Sequence, residues 1–268
     1  MAINGRLLIA AGLFSIYAGT AAASGLRVTP LRMDFFQNQT SGQIEVSNLG
    51  TAPLAVQVKA FRWSQKDGTE TYEPTTDIFF APPIVSVAPQ KKTIVRFRLR
   101  AAPPLDRENS YRVYFQEVPS ATENAPSAGM TFRMRFGVPV FVHPVKPAYP
   151  VLSAVSTREA DGLRVKLKNT GSAHIRINDV QLYPASVNEK NPDQAVVSHA
   201  PQGAHGTNYL LPGSEDEWVL PLAAGASPEG LKLLVRTDDY SGHAAPGITP
   251  QGFWWVPGGG GTTPAKKP

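Results

Sequence analysis

Apolar and polar residues alternate with a period of two along most of this chain. Between 130 and 142, Met130, Phe132, Met134 and Phe136 fall on one side, and Thr131, Arg133 and Arg135 on the other. That pattern predicts a strand with one apolar and one basic face. A polar Pro/Gly/Ser/Ala loop over 123–129 precedes it. Such a strand rests its Met/Phe side on its own core, or pairs its backbone with a second chain and offers that side as a row of plugs. Alternation alone leaves both readings open. The same period recurs over 42–48, 54–63, 92–100, 110–118, 162–169, 174–183, 217–222 and 231–236, with turn-formers between. Helical periodicity is nearly absent. The 25 prolines and 23 glycines are spread along the whole length, as in a many-turned all-β protein. The pattern predicts a β-sandwich.

The chain also repeats itself. Gln43 to Ala52 and Leu163 to Ala173 each read as a strand ending in Asn-x-Gly-[Ser/Thr]-Ala, through Asn48-Leu-Gly50 and Asn169-Thr-Gly171. The glycine suits a turn that needs positive φ. Val87-Ala-Pro89 resembles Leu210-Leu-Pro212. The copies lie 121 and 123 residues apart, and two matched features at nearly one offset predict tandem domains of one fold. Pro144, Pro147 and Pro150 mark a stiff connector. The expected division is a leader over 1–23, a first domain over 24–143, a linker over 144–150, a second domain over 151–246 and a tail over 247–268, disordered from about 258. The polar stretch 188–208 is expected to be a long mobile loop.

Arg6, the apolar run 7–18 and Ala21-Ala22-Ala23 read as a secretory leader with an A-x-A cleavage site. The run is too short to span a bilayer, which needs about 20 residues. No later segment suggests a membrane helix, so an exported protein without membrane insertion is expected. Removing Arg6 with the leader lowers the formal charge from +5 to +4. The pI of about 9.4 suits a nucleic-acid binder. The basic residues are scattered among strands, however, and no nucleic-acid motif is present, so no nucleic-acid partner is expected. There is no cysteine. That excludes thiol chemistry and leaves an exported chain to hold together by packing alone.

Catalytic and phosphate-binding motifs are missing: there is no G-x-S-x-G, H-E-x-x-H, G-x-x-x-x-G-K-[ST] or G-x-G-x-x-G. The histidines are 143, 174, 199, 205 and 243. No carboxylate or cysteine cluster accompanies the neighbours His199 and His205, so neither a metal nor another cofactor is expected. The chemistry left is recognition, not catalysis.

Asn48-x-Gly50, Val56-Gln57, Trp63, Pro82-Pro83, Pro89, Val95-Arg96, Glu108-x-x-Tyr111-Arg112, Glu117-x-Pro119 and Pro139-Val-Phe-Val-x-Pro144 occur in that order. This series resembles the periplasmic chaperones of the chaperone–usher pilus pathway, the PapD-like family. The Gly-Val-Pro-Val-Phe-Val ending is most similar to their archaic-type branch. The second half matches more loosely, through Asp238-Asp239-Tyr240-x-Gly242. The resemblance implies two tandem immunoglobulin-like β-sandwich domains in a boomerang arrangement. It implies periplasmic location, pilus or fimbrial subunits and an outer-membrane usher as partners, and donation of a strand to the subunit. By position the donor residues are Met130, Phe132 and Met134, with Phe136 as an extension. Members of the family anchor the subunit's carboxylate with two basic residues. Arg32 falls at the first. Pro139 stands at the second, where a lysine is usual, leaving Arg135 or Arg133 to supply the charge. An interdomain charge network falls on Glu108 and Asp239, with His143 replacing the joining arginine. A histidine pairs only when protonated, so the link is expected to weaken toward neutral pH. Capping of the free strand by self-dimerisation is left open. So is whether Trp254 and Trp255 pack on the second domain or touch a partner. Two rival readings stand beside this one: a structural or adhesive surface protein of tandem sandwich domains, and, remotely, a hydrolase on the same scaffold.

Overall fold

The computed structural model describes residues 25–36, 39–66, 68–119, 133–160, 162–187, 197–199, 208–222, 230–238, 248–249 and 252–255. The first half forms two facing sheets. One runs β1 (Leu26–Thr29), β3 (Ser41–Asn48), β8 (Lys92–Leu99), β6 (Ile78–Ala81). The other runs β2 (Met33–Phe35), β10 (Arg135–Val142), β9 (Asn109–Val118), β4 (Leu54–Lys66), β5 (Thr69–Pro74), with β7 (Ile84–Val87) also paired to β4. Alternate residues of both sheets close one core, in which Ile44, Val46, Val56, Val95, Phe115 and Val140 are fully buried. Each such side chain contributes about 1.5–3 kcal/mol by leaving water.

The second half repeats the plan. β11 (Leu152–Arg158), β12 (Gly162–Asn169) and β16 (Glu215–Pro221) make one sheet. β14 (Val197–His199), β13 (Ile175–Pro184), β17 (Leu231–Thr237), β19 (Gly252–Trp255) and β18 (Ile248–Thr249) make the other, with β15 (Tyr209–Leu210) also on β13. No strand pairing of the described residues crosses 143–151. Trp254 and Trp255 lie on β19, opposite Leu234 and Leu233 of β17.

The repeat has a physical cause. Asn48 Nδ2 donates to the carbonyls of Ala52 and Val87, at 2.7 and 3.0 Å, and its Oδ1 accepts from Gly50 N. Asn169 Nδ2 donates to Ala173 and Leu210, at 2.8 and 3.0 Å, and its Oδ1 accepts from Gly171 N. The two matched sequence features are thus the two ends of one buried hydrogen-bond plug, present once in each half. The glycine works differently from the expectation. Neither Gly50 nor Gly171 has a positive φ. At Gly171 a Cβ would lie 2.2 Å from the Tyr149 carbonyl oxygen, so close backbone approach demands the glycine. Asn169→Ala, which leaves buried carbonyls and an N–H unpartnered, is expected to cost about 2–4 kcal/mol. Chemical denaturation of the variant checks this.

Candidate functional site

β10 is the strand on which the site is built. It pairs antiparallel with β9 from Arg135↔Gln116 to Val142↔Asn109. Beyond its first residue, Glu117 N donates to the Met134 carbonyl at 3.0 Å, and Met134 N to the Glu117 carboxylate at 3.2 Å. On its other side β2 covers only Val140, Phe141 and Val142, in parallel. Among the described residues nothing pairs with the outer edge from Arg135 to Pro139. Val138, Val140 and Val142 point into the core, and Met134 and Phe136 of the same side are partly buried against it. Met130 and Phe132 lie outside the described residues. The polar loop over 123–129, the stretch 188–196 and Asp239 also lie outside them.

The opposite side of β10 carries Arg135, Gly137, Pro139 and Phe141. The Arg135 guanidinium sits 3.7 Å from the Tyr114 ring centroid, a cation–π contact. Gly137 lets Tyr114 come close, because a Cβ there would lie 2.9 Å from Tyr114 Cε1. Gln57, Lys59, Phe61, Tyr114, Gln116 and Arg135 line a cavity of about 210 Å³ on this face. Arg133 is exposed just before β10.

At the far end of the same face a chain of titratable side chains joins the two halves. Arg32 lies in the break between β1 and β2, not within a strand. Its Nε and Nη2 donate to Asp34 at 2.7 and 2.9 Å, and its guanidinium stacks over Phe141. Asp34 is also 3.1 Å from His143 Nε2. His143 Nδ1 is 3.5 Å from Glu108, whose carboxylate is 0% exposed. Both Glu108 oxygens lie 2.8 Å from His174 Nδ1, and His174 stacks on Phe141 with centroids 3.5 Å apart. Around this chain Trp63, Phe141 and Leu211 form an apolar cluster. Gln65 donates to the Tyr209 carbonyl and accepts from Leu211 N, at 2.8 and 2.9 Å. Of the charge positions expected from sequence, the structure brings Glu108 and His143 together with Arg32. It adds Asp34 and His174, which sequence reasoning missed. His174 directly follows the Asn-x-Gly-Ser-Ala turn, and that turn is the signal that places it. Asp238, next to Asp239, accepts from Arg176 at 3.3 Å and from Asn178 at 2.6 Å.

Burial alone would raise the Asp34 carboxyl, but the hydrogen bonds from His143 and Arg32, with the charge of Arg32, outweigh it and hold it at about 2. A depressed carboxylate adds stability above its unfolded value near 3.9 and loses it as pH falls toward 2. Asp34→Asn is therefore expected to be less stable than wild type above about pH 4 and level with it near pH 2. Thermal unfolding across that range checks it.

Residues 25–148 match the family model for pili and flagellar-assembly chaperones, PapD N-terminal domain. No curated protein matches the sequence significantly. Among solved structures, a chain of the CsuC–CsuE chaperone–tip adhesion subunit pre-assembly complex, from the archaic chaperone–usher Csu pili of Acinetobacter baumannii, is 18% identical. It superposes with a TM-score of 0.56 over 80% of this chain and 94% of that one. A chain of the Salmonella enterica SafA pilin–SafB chaperone complex is 17% identical, with a TM-score of 0.55 over 87% and 97%. At these identities the likeness establishes the fold. Residues 25–148 are thus similar to the PapD N-terminal domain of the pili and flagellar-assembly chaperones, and the chain as a whole has the all-β, two-sandwich immunoglobulin-like fold of the solved chaperone–usher pilus chaperones.

Proposed function

We propose that this protein is a periplasmic, non-enzymatic chaperone that captures pilus subunits by donor-strand complementation and delivers them to an outer-membrane usher. The observation that carries the reading is the outer edge of β10 from Arg135 to Pro139, which no described strand pairs, continuous with the Met/Phe alternation that begins at Met130. An unpaired edge flanked by apolar side chains pairs with a chain that lacks a strand. Such a subunit exposes an apolar groove, which invites aggregation. Three or four large side chains from 130–136 contribute up to about 5–12 kcal/mol before ordering costs. Methionine adapts to grooves of different shape, which suits several subunits sharing one chaperone. Residues 1–23 direct export, and the joint between the halves lies at 144–150. The complex of the archaic Csu system among the similar structures supports placing this chain in that branch.

The first test is a pull-down of the tagged mature protein from periplasmic extract, with partners identified by mass. Recovery of small secreted sandwich subunits is expected. Absence of any partner, with the protein itself on the cell surface, would replace this reading with the structural or adhesive one.

A further inference from the structure

Basic residues that are scattered in the sequence converge on one sheet face. β1, β3, β8 and β6 form one sheet of the first half, and alternate residues of these strands turn away from the core. On β8 these include Lys92, Arg96 and Arg98, with Arg100 just past its end, and all four are exposed. Arg96, Arg98 and Arg100 stand at every second position, about 6.6 Å apart along the strand. Exposed Arg27 of β1 joins them from the far edge of the sheet. Among the described residues the acid of this face is Glu45, which Lys92 engages at 2.7 Å. The face therefore carries a net +4, as much as the whole chain once Arg6 is removed. No ion pair among the described residues engages Arg96 or Arg98. The Arg100 guanidinium lies 4.9 Å from the Phe79 ring centroid, and Phe79, opposite Arg98 on β6, is 49% exposed. The second half differs. There Arg164, Lys166 and Lys168 meet Glu159, Glu217 and Glu215.

Such a cluster suits an anionic partner. Guanidinium matches phosphate in shape as well as charge. The apolar content of the face is Phe79, Ala81 and the partly covered Ile94, too little for the apolar centre of a stable protein interface. A surface dense in phosphates needs no such centre. Each arginine near it adds affinity, and an aromatic ring seats at the boundary of headgroups and acyl chains. We propose that the outer face of the β1, β3, β8, β6 sheet docks reversibly on the anionic phospholipid headgroups of a membrane surface, with Arg96, Arg98 and Arg100 on phosphates and Phe79 at the boundary. This rests on the reading of the chain as exported, but not on subunit capture. β10 belongs to the facing sheet, so a chain bound along it does not compete for this face.

The test is co-sedimentation of the mature protein with vesicles of phosphatidylglycerol in phosphatidylcholine, beside vesicles of phosphatidylcholine alone. Wild type is expected to bind the anionic vesicles only and to leave them at high salt. Arg96→Gln with Arg98→Gln and Arg100→Gln should bind about a hundredfold more weakly, at a wild-type thermal midpoint because all three are exposed. Arg164→Gln with Lys166→Gln and Lys168→Gln removes the same charge from the second half and should bind like wild type. Equal loss in both triple variants makes net charge the cause and overturns the face. Absence of wild-type binding to anionic vesicles overturns the proposal, as does binding of an oligonucleotide or an acidic protein in their place. Since the chain has no cysteine, Phe79→Cys takes a single environment-sensitive dye, whose emission should shift to the blue on anionic vesicles. The same dye at Val155→Cys, 64% exposed on β11, should not shift, and the reverse result overturns the docking orientation. Subunit recovery by the first triple variant should equal wild type, which keeps membrane docking and subunit capture separately testable.

Discussion

Met130→Asp combined with Phe132→Asp is expected to abolish recovery of pilus subunits while leaving the chaperone folded. Each large apolar side chain contributes about 1.5–3 kcal/mol when it fills a groove. Removing two costs about 3–6 kcal/mol of capture, and the added carboxylates would have to enter an apolar groove unpaired, which costs more. Together this is at least about a hundredfold in affinity. The contrast with neighbouring positions makes the expectation specific. Val138 and Val140 continue the same alternation, but they are buried in the first core at 1% and 0% exposure. Val140→Asp should therefore unfold the first half. The double variant should instead keep a wild-type thermal midpoint and lose only its partners. Pull-down yield and thermal unfolding, measured on the same preparations, separate the two outcomes. Normal subunit recovery by the double variant would sink strand donation.

Features set by local chemistry were legible before the structure. Period-two patterning located the long strands, because a half-buried sheet demands it. The repeat was legible because one asparagine in each half, Asn48 and Asn169, ties a turn to a distant strand. Both the turn and the distant strand leave a sequence trace. Short strands such as β2, β6 and β7 have three or four residues, too few to show a period. The break that puts Arg32 outside β1 and β2 was hidden for the same reason. The role of the repeat glycine was misread because a close approach and a positive φ select the same residue. The partners within the site were hardest to see. His174 lies 66 residues from Glu108, and only the docking of the two halves brings them together. Arg112 was visible as part of a motif. Its place over the Trp63 ring is set by the pairing of β9 with β4, and no local pattern encodes that.

Glu108→Ala is expected to be the most damaging single change at the junction of the halves, because each buried donor left without its acceptor costs about 1–3 kcal/mol. The same change at an exposed polar contact would cost about 0–1 kcal/mol. The difference lies in burial. The Glu108 carboxylate is fully enclosed, and the His174 and His143 side chains beside it are 1% and 6% exposed. Removing the carboxylate leaves imidazole nitrogens, Ser110 Oγ and His174 N without the acceptor they now face. Glu108→Gln separates charge from hydrogen bonding, since it keeps one acceptor oxygen and supplies a donor. It should fall between wild type and Glu108→Ala. A double-mutant cycle with His174→Phe, which preserves the stack on Phe141, should show coupling above about 1 kcal/mol, because the two side chains share one network. The same carboxylate faces His143, just after β10, and His174, just before β13. Small-angle scattering of Glu108→Ala should therefore report a broader distribution of interdomain distances. A variant that lost stability without that broadening would show that Glu108 stabilises the junction without setting its geometry.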